Sequence, residues 1–353
     1  MPLLDPVDRD HSLSPVTDSE LLLYRMTFDT PLRLDCRGQV LPGLAKAWDK
    51  DSTGLIWTLT LKDDARQFYN SPMTAHDVVA AWNESKAVEG SMALQSAVAL
   101  DDRRISVTLI TPQDSVPRIL ADPLFSLAID PAQRPPGVKF KPEAGVDPRD
   151  ALDRGAGLVV TRDPALVEYV AGRPEFAAFA LPWSRTYVLL ESASAEPLDI
   201  VRGDGDRRSL ARDAVNADAR AAEPPFWWNE AAECPTRATS GPTSVSSRVV
   251  YIRGDEVARG LAGRIVALAG SGTPLRAAAL EPPDFAAQLR SGSDRAYVVA
   301  LPRQTLAPCR GTGAWPTGAR IQPLIDTRAH AIVRRGAPPL AVEWDGTVRV
   351  IPR

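Results

Sequence analysis

The sequence lacks the residue patterns that most enzymes need, and it has few of the residue types that bind metals. It contains three cysteines and three histidines among 353 residues. There is no GxSxG or HExxH motif, no phosphate-binding Walker loop, and no GxGxxG after a strand. The histidines, His11, His76 and His330, stand far apart in the chain. These absences predict a protein that is not an enzyme and that holds no cofactor and no metal.

A long apolar run and an excess of positive charge are absent as well. No stretch approaches the roughly 20 apolar residues that a membrane helix needs. The 41 basic and 44 acidic residues give a net charge of −3. This balance argues against nucleic acid as the main partner, because that binding needs a concentrated basic surface. With 353 residues the chain is long enough to form two lobes.

The clearest local pattern lies in residues 32–82. A short strand is predicted at 32–35, followed by a short helix that starts at 41–45 and carries Trp48 inward. Residues 55–61 alternate between leucine or tryptophan on one face and threonine on the other. This alternation predicts a half-buried strand.

A capped helix follows that strand. Thr74 and Asp77 have the spacing of a capping box, in which a hydroxyl and a carboxylate each satisfy a free backbone N–H. Val78, Val79 and Trp82 then form an apolar stripe at helical spacing. We therefore predict a helix that begins at Thr74 and packs this stripe inward.

These elements occur together at spacings that match one known family. The matching positions are Leu34-Asp35, Gly38, Pro42-x-Leu44-Ala45-x-x-Trp48, Gly54, Trp57-x-Leu59-x-Leu61, Phe68 and Thr74-Ala75-x-Asp77-Val78. The stretch resembles the N-terminal region of the bacterial extracellular solute-binding proteins of family 5, which are the peptide-, nickel- and oligosaccharide-binding components of ABC importers. Ser71 and His76 depart from the family pattern in the turn before the helix.

Residues 248–301 repeat strand and helix in alternation. Strands are predicted at 248–252, 275–280 and 296–301, and helices at 255–269 and 284–290. Alternating strands and helices of this length predict a parallel sheet covered by helices, which is a three-layer lobe.

The middle of the chain is less regular. Strands are predicted at Phe179–Leu181 and Thr186–Leu190, separated by residues 182–185, which begin with a proline. A charged helix is predicted at 207–222. Asp18 or Ser19 is expected to cap an early helix.

The resemblance implies a fold for the whole chain. It implies an α/β protein with a two-lobed, periplasmic-binding-protein-like fold of type II. Lobe one is expected to comprise residues 1–190 and 306–353, with an α+β subdomain inserted at about 46–150. Lobe two, residues 191–305, is expected to be reduced, because family members are commonly longer than this chain.

The resemblance also suggests where a ligand binds. In the family, the residues just before the first helix line the ligand cleft, and by position these are Thr17, Asp18 and Ser19. Alternatively, Asp18 serves only as the N-cap of that helix and does not contact a ligand.

Four further candidates flank the two places where the chain is expected to cross between lobes. They are Trp183, Arg185 and Tyr187 at the first crossing and Arg303 at the second. Sites between lobes are mostly apolar with a few placed polar groups, and these residues supply that mixture. For Trp183 the alternative is core packing, and for Arg185 it is an ordinary ion pair.

Two neighbouring tryptophans, Trp227 and Trp228, either stack on a ligand or cover a core left exposed by the shortened lobe. Peptide-binding members anchor the ligand's amino terminus with an aspartate after the last strand of lobe two. Here that place reads Leu301-Pro302-Arg303-Gln304 and contains no acid. The departure favours an anionic or neutral ligand over a peptide.

The implied function is capture of a small molecule between two lobes for delivery to an ABC permease. The implied partners are the ligand and the permease, with no nucleic acid. The protein is expected to be a monomer that meets the membrane only through the permease or a removed lipid anchor. The resemblance implies an exported, periplasmic protein. Because residues 1–5 lack the features of a signal peptide, we expect the sequence to begin at the mature domain. The alternative is a degenerate binding-protein fold kept as a regulatory or interaction domain.

The three cysteines are an odd number. Cys36 is expected to be a lone, partly buried thiol. Cys234 and Cys309 both lie in proline-rich segments, and a disulfide between them is one possibility, because pairing cannot be deduced from sequence.

Overall fold

The computed structural model describes residues 1–8, 17–67, 70–85, 88, 94–130, 138–192, 197–198, 200–201, 203–223, 246–269, 274–303 and 319–351. The chain divides into two compact units. The first unit comprises Met1–Thr161, Tyr169–Pro182 and Ala331–Arg353, and the second comprises Arg162–Glu168 and Trp183–His330. The lobe boundaries proposed from the sequence, near residues 191 and 306, stay predictions.

A four-stranded antiparallel sheet forms one part of the first unit. Its strands, in spatial order, are Ala45–Lys50, Ile56–Leu61, Arg104–Leu109 and Leu94–Ala99. Trp57, Leu59 and Leu61 are buried, while Thr58 and Thr60 are half-buried. The predicted alternation is therefore confirmed, and the sheet with its helix is the α+β part of the fold.

The helix Ala75–Glu84 packs on this sheet and begins as predicted. The Thr74 hydroxyl accepts a hydrogen bond from the Asp77 N–H at 3.2 Å, and the Asp77 carboxylate accepts from the Thr74 N–H at 2.8 Å. Val78 and Trp82 are buried. The Trp82 ring meets Phe125 edge-on, with ring centroids 5.6 Å apart, which fixes the helix against the segment beyond the sheet.

The predicted helix at 41–45 is wrong. This part of the chain forms two strands, Val40–Pro42 and Ala45–Lys50. The Cβ atom of any larger residue at Gly43 would lie 2.2 Å from the Thr30 carbonyl oxygen, so the chain passes close against its neighbour there. Trp48 lies opposite Leu59 in the sheet and is half-buried. Pairing across the sheet therefore outweighs the local preference of this segment for helix.

The remaining elements of the first unit are short. The helices are Asp18–Tyr24, Val116–Ile119 and Pro148–Asp153, with a 3-10 turn at Pro123–Phe125. The short strands are Pro2–Leu3, Phe28–Asp29, Leu32–Leu34, Arg66–Gln67, Ser71–Pro72, Leu127–Ala128, Lys141–Pro142, Leu158–Thr161, Leu340–Val342 and Val348–Val350. The helix Pro164–Ala171 follows Leu158–Thr161 in the sequence.

A buried ionic network ties the end of the chain to its beginning within the first unit. Arg349 contacts the carboxylates of Glu343 and Asp29 and donates to the Arg25 carbonyl oxygen. Arg25 in turn pairs with Asp345 at 2.7 Å. We refer to these five side chains as the ionic network of the first unit.

The second unit is built on a mixed sheet. The strand order of this sheet is Leu158–Thr161, Arg320–Arg334, Phe176–Glu191, Asp294–Pro302, Ser246–Ile252 and Arg276–Leu280, and Asp218–Ala221 also pairs with Arg320–Arg334. Ser246–Ile252 runs parallel to the two strands beside it. The helices Glu256–Ala269 and Pro282–Ser291 lie between these strands in the sequence. The predicted strand–helix alternation with a parallel sheet is confirmed.

Both faces of this sheet carry a hydrophobic core. Tyr187 and Leu189 pack with the helix Glu256–Ala269 on one face. Val188 and Leu190 pack with Phe285 on the other face. Alternate residues of the strand Phe176–Glu191 therefore serve opposite cores, which explains its almost continuous apolar run.

Two predictions about the middle of the chain are wrong in extent. Residues 176–191 form one strand, not two, and the strand continues through Pro182. Its residues Arg185 to Glu191 pair with Asp294–Pro302 in a regular antiparallel register, and Arg320–Arg334 is its neighbour on the other side. The predicted helix at 207–222 spans only Asp204–Asp213, and Asp218–Ala221 is a strand paired with Arg320–Arg334.

Cys36 is exposed, so the expectation of a partly buried thiol is wrong. It lies in a turn in which the Asp35 carboxylate accepts from the N–H groups of Arg37 and Gln39, both at 2.8 Å. Cys234 and Cys309 lie outside the described residues.

Candidate functional site

The candidate ligand residues fall into three groups in the structure. Thr17, Asp18 and Ser19 belong to the first unit, and Trp183, Arg185, Tyr187 and Arg303 belong to the second. Trp227 and Trp228 lie outside the described residues. Neighbouring strands bring the residues of the second group together.

In the first group, the helix cap is Thr17 and not Asp18 or Ser19. The Thr17 hydroxyl accepts from the Glu20 N–H at 3.1 Å, and the Glu20 carboxylate accepts from the Thr17 N–H at 3.2 Å. The Ser19 hydroxyl donates to Asp5 at 3.0 Å. The sequence Thr17-Asp18-Ser19-Glu20 contains this capping-box spacing, so the signal for the correct cap was present. A ligand role for these residues stays a prediction.

In the second group, antiparallel pairing places Arg185 directly opposite Pro302. Arg303 therefore follows at the end of the neighbouring strand. Its N–H donates to the Ser184 carbonyl oxygen at 2.7 Å, and its guanidinium group reaches the Trp183 carbonyl oxygen at 3.4 Å. Arg162 donates to the Ser184 hydroxyl at 3.2 Å. Arginines from three parts of the sequence thus meet at one strand.

Tyr187 is buried, and its hydroxyl lies 3.1 Å from the Asp255 carboxylate. Asp255 also accepts from the Ala258 N–H at 2.9 Å, at the start of the helix Glu256–Ala269. Burial and the Asp255 charge raise the pKa of Tyr187, while a hydrogen bond with Arg185 acts in the other direction. The phenol therefore stays protonated and connects Arg185 to the beginning of the helix.

Trp183 is half-buried and is contacted by two arginines. The guanidinium carbon of Arg220 lies 4.7 Å from the ring centroid and that of Arg328 lies 4.5 Å from it. Both distances are in the range of cation–π contacts. The tryptophan therefore holds two planar cations beside the strand that carries Arg185.

The two arginines come from paired strands with complementary charges. In the antiparallel register Asp218 lies opposite Arg328, and Arg220 lies opposite Asp326. The Arg328–Asp218 pair has a separation of 2.6 Å and the Arg220–Asp326 pair one of 3.2 Å. Each arginine is therefore held by a carboxylate on the neighbouring strand.

Two titratable groups beside this pairing have shifted pKa values. Burial raises the pKa of Asp326, against hydrogen bonds from Thr186 and from the Glu223 N–H. Burial lowers the pKa of His330, although Asp218 lies 3.3 Å from its ring nitrogen. His330 is therefore largely neutral at pH 7.

Sequence reasoning missed Arg162, Arg220, Arg328 and Asp255. A partial signal existed for two of them, because Asp218-Ala219-Arg220 and Asp326-Thr327-Arg328 repeat the same Asp-x-Arg spacing. Two such triplets on antiparallel strands place each aspartate opposite an arginine. That pairing becomes visible only once the two segments are known to be neighbouring strands.

The second group combines arginines with an aromatic ring, which are residue types able to bind an anion. Arginine presents a planar fork of donors that matches a carboxylate or phosphate, and an aromatic neighbour excludes water from that contact. In the part of the chain that the structure describes, no group of histidine, cysteine or carboxylate residues has the arrangement of a metal site. None of the described helices has the length and apolar content of a membrane span.

Comparison with solved structures first identifies the fold. The solved structure of NikA from Brucella suis in complex with Fe(III)-EDTA superimposes with a TM-score of 0.68 and 13% sequence identity, covering 100% of this chain and 99% of that chain. The fold of this chain is therefore that of the two-lobed periplasmic binding proteins, with mixed α/β structure.

The sequence comparisons then show which family one segment of the chain resembles. The model of "Bacterial extracellular solute-binding proteins, family 5 Middle" matches residues 39–152. The periplasmic murein peptide-binding protein MppA of Escherichia coli (strain K12) is 35% identical over 78 residues, which are 21% of this chain and 14% of that protein. The periplasmic oligopeptide-binding protein OppA of the same strain is 28% identical over 148 residues, covering 35% of this chain and 26% of that protein.

The aligned stretches therefore cover only a small part, 14% and 26%, of the length of these two relatives. The resemblance to family 5 found in the sequence is confirmed, because residues 39–152 match the family model within a chain that has the fold of the binding proteins.

Proposed function

We propose that this protein is the solute-binding component of an ABC importer and captures a small molecule for delivery to a permease. The observation that carries this proposal is the family 5 match at residues 39–152 in a chain with the binding-protein fold. The relatives named above are peptide-binding proteins of the periplasm. We accordingly propose an extracytoplasmic location, a monomeric state and no catalytic activity.

We propose further that the ligand carries a negative charge and that Arg185 and Arg303 contact it. Arg185 lies where the pairing of Phe176–Glu191 with Asp294–Pro302 ends, Arg303 directly follows the second of these strands, and Arg162 contacts Ser184 beside them. Ligands of open α/β sheets bind outside the carboxyl ends of the parallel strands, and Arg303 follows such a strand. The acid that would favour a peptide's amino terminus is absent from Leu301-Pro302-Arg303.

A thermal-shift screen tests the proposal. The panel contains organic acids, peptides, sugars and nickel chelates, each assayed with the purified protein at physiological salt. A ligand present at 100 times its dissociation constant raises the free energy of unfolding by about 2.7 kcal/mol. We expect the organic acids to give the largest increases in Tm. A response to neutral sugars alone would contradict the anionic ligand, and no response to any class would favour the interaction-domain alternative.

A further inference from the structure

A partly exposed ion pair stands beside Trp183. The Arg220 guanidinium group contacts the Glu223 carboxylate at 2.7 Å. The Glu223 side chain is 61% exposed, while that of Arg220 is 27% exposed. The guanidinium group is thus partly covered from solvent, and its carboxylate partner can leave it by a simple side-chain rotation.

Arg220 also contacts a buried carboxylate and an aromatic ring, which keep their positions when the Glu223 side chain rotates away. Asp326 accepts from the Arg220 Nε at 3.2 Å, and its own side chain is 1% exposed. The Thr186 hydroxyl donates to the same carboxylate at 2.6 Å, and the Glu223 N–H donates to it at 3.2 Å. The Trp183 ring adds a flat surface against the guanidinium group at 4.7 Å. The orientation of Arg220 therefore does not depend on the Glu223 carboxylate.

Two further arginines lie beside Trp183. Arg328 contacts the same indole ring, and Arg303 reaches the Trp183 backbone. The carboxylates that contact Arg220, Arg328 or the Tyr187 hydroxyl include those of Asp218, Asp255, Asp326 and Glu223. Among these four, Glu223 is the exposed residue, and the others are buried or half-buried. Glu223 is accordingly the counter-ion that an incoming anion is able to replace.

We propose that Arg220 is an anion-binding residue whose exchangeable counter-ion is Glu223, and that a carboxylate of a small organic acid displaces the Glu223 carboxylate. The ligand carboxylate would take the same donor on the guanidinium group, so the number of charge-assisted hydrogen bonds is conserved. Displacement exchanges one carboxylate for another and needs no covalent step. Its biological role rests on the proposed function, whereas the anion site itself is testable separately.

The test uses succinate as the probe and succinamide as its uncharged counterpart, with dissociation constants measured by titration calorimetry. Glu223→Gln removes the competing charge and keeps the size of the side chain. The matched control is Glu281→Gln, because Glu281 pairs with Arg253 at 2.6 Å in the same unit and its side chain is 58% exposed. Arg220→Gln removes the binding group.

We expect Glu223→Gln to tighten succinate binding by up to about fivefold, which corresponds to the upper range for an exposed ion pair. Arg220→Gln should weaken it by about tenfold or more, as for a lost hydrogen bond to a charged group. Glu281→Gln should leave it unchanged, and succinamide should bind none of the variants. Equal affinities in the wild type, Glu223→Gln and Glu281→Gln would overturn the proposal and leave Arg220–Glu223 an ordinary surface pair. The absence of succinate binding in both wild type and Glu223→Gln would overturn it as well.

The outcome separates this proposal from the proposed function. If Glu223→Gln tightens succinate binding while no compound in the thermal-shift panel stabilises the wild-type protein, the anion site stands and the transport role fails. If a panel ligand binds but Arg220→Gln leaves its affinity unchanged, the transport role stands and the site proposed at Arg220 fails.

Discussion

The Tyr187 hydroxyl lies 3.1 Å and 3.2 Å from the two carboxylate oxygens of Asp255, across 68 positions of the sequence. This contact joins a strand to the start of the helix Glu256–Ala269, because Asp255 also accepts from the Ala258 N–H. The same hydroxyl is hydrogen-bonded to Arg185. The buried Tyr187 hydroxyl therefore helps to position Arg185, which is a candidate ligand residue.

The first prediction concerns this phenol. Tyr187→Phe removes a buried hydrogen bond to a charged group and should lower the free energy of unfolding by about 1.5–3 kcal/mol. The matched control is Tyr169→Phe, because Tyr169 also bonds a carboxylate, that of Asp153 at 2.9 Å, but at an exposed position. Urea unfolding followed by circular dichroism measures both. Equal losses in the two variants would show that burial of the Tyr187–Asp255 contact adds nothing to its strength.

The second prediction concerns Arg185 and Arg303. Truncation of either residue to alanine should weaken binding of an organic acid found in the thermal-shift screen by about 1.5–3 kcal/mol. The Tm without ligand should change little. Arg276→Ala serves as the control, because Arg276 is exposed on the strand Arg276–Leu280 of the same unit. Unchanged affinity in both test variants would mean that the ligand site lies elsewhere.

Much of the second unit could be predicted from local patterns. The helix Glu256–Ala269 buries Ala258, Leu261, Ala262 and Ile265 at helical spacing, and the parallel strands Ser246–Ile252 and Asp294–Pro302 each contain a continuous apolar run. These signals are strong because each element is buried on a defined face. The capped helix after Thr74 was equally visible, since the cap and the apolar stripe agree.

Other features depend on which strands become neighbours. Residues 45–50 have good helix formers, yet they form a strand because Ile56–Leu61 pairs with them. The contact of Trp183 with Arg220 and Arg328 requires strands that are far apart in the sequence to pair in one register. Local patterns carry no information about such long-range register, so the arginine pair could not be derived from them.

The third prediction concerns the ionic network of the first unit. Arg349→Met leaves the carboxylates of Glu343 and Asp29 buried without their shared cation, so the free energy of unfolding should fall by about 3–5 kcal/mol. The control is Lys46→Met, since the Lys46–Asp63 pair is exposed and such pairs contribute about 0–1 kcal/mol. Denaturant titration of both variants measures the difference. A loss in Arg349→Met no larger than in the control would contradict a stabilising role for the network.

The last prediction is the pH dependence of this network. Burial acts to raise the pKa of Asp345, but its contacts with Arg25 and Thr347 outweigh burial and hold the pKa below the usual value. The pKa of Asp29 is lowered in the same way, with Arg349 and Arg33 outweighing burial. A carboxylate with a depressed folded-state pKa stabilises the fold fully above its unfolded pKa of about 3.9 and loses this contribution as the pH falls toward the folded value.

The free energy of unfolding should therefore decrease as the pH is lowered from about 5 to about 3, and the decrease should persist in high salt because buried pairs are little screened. Asp345→Asn removes one of the two carboxylates whose pKa is lowered, so the stability of this variant should be lower at pH 7 and should fall less steeply with acid. Asp63→Asn is the control, since Asp63 is exposed and pairs with Lys46, and high salt should abolish any effect of that change. Urea midpoints measured at several pH values in low and high salt give the slopes. An acid slope in Asp345→Asn as steep as that of the wild type would show that Asp345 does not contribute to the acid sensitivity of the first unit.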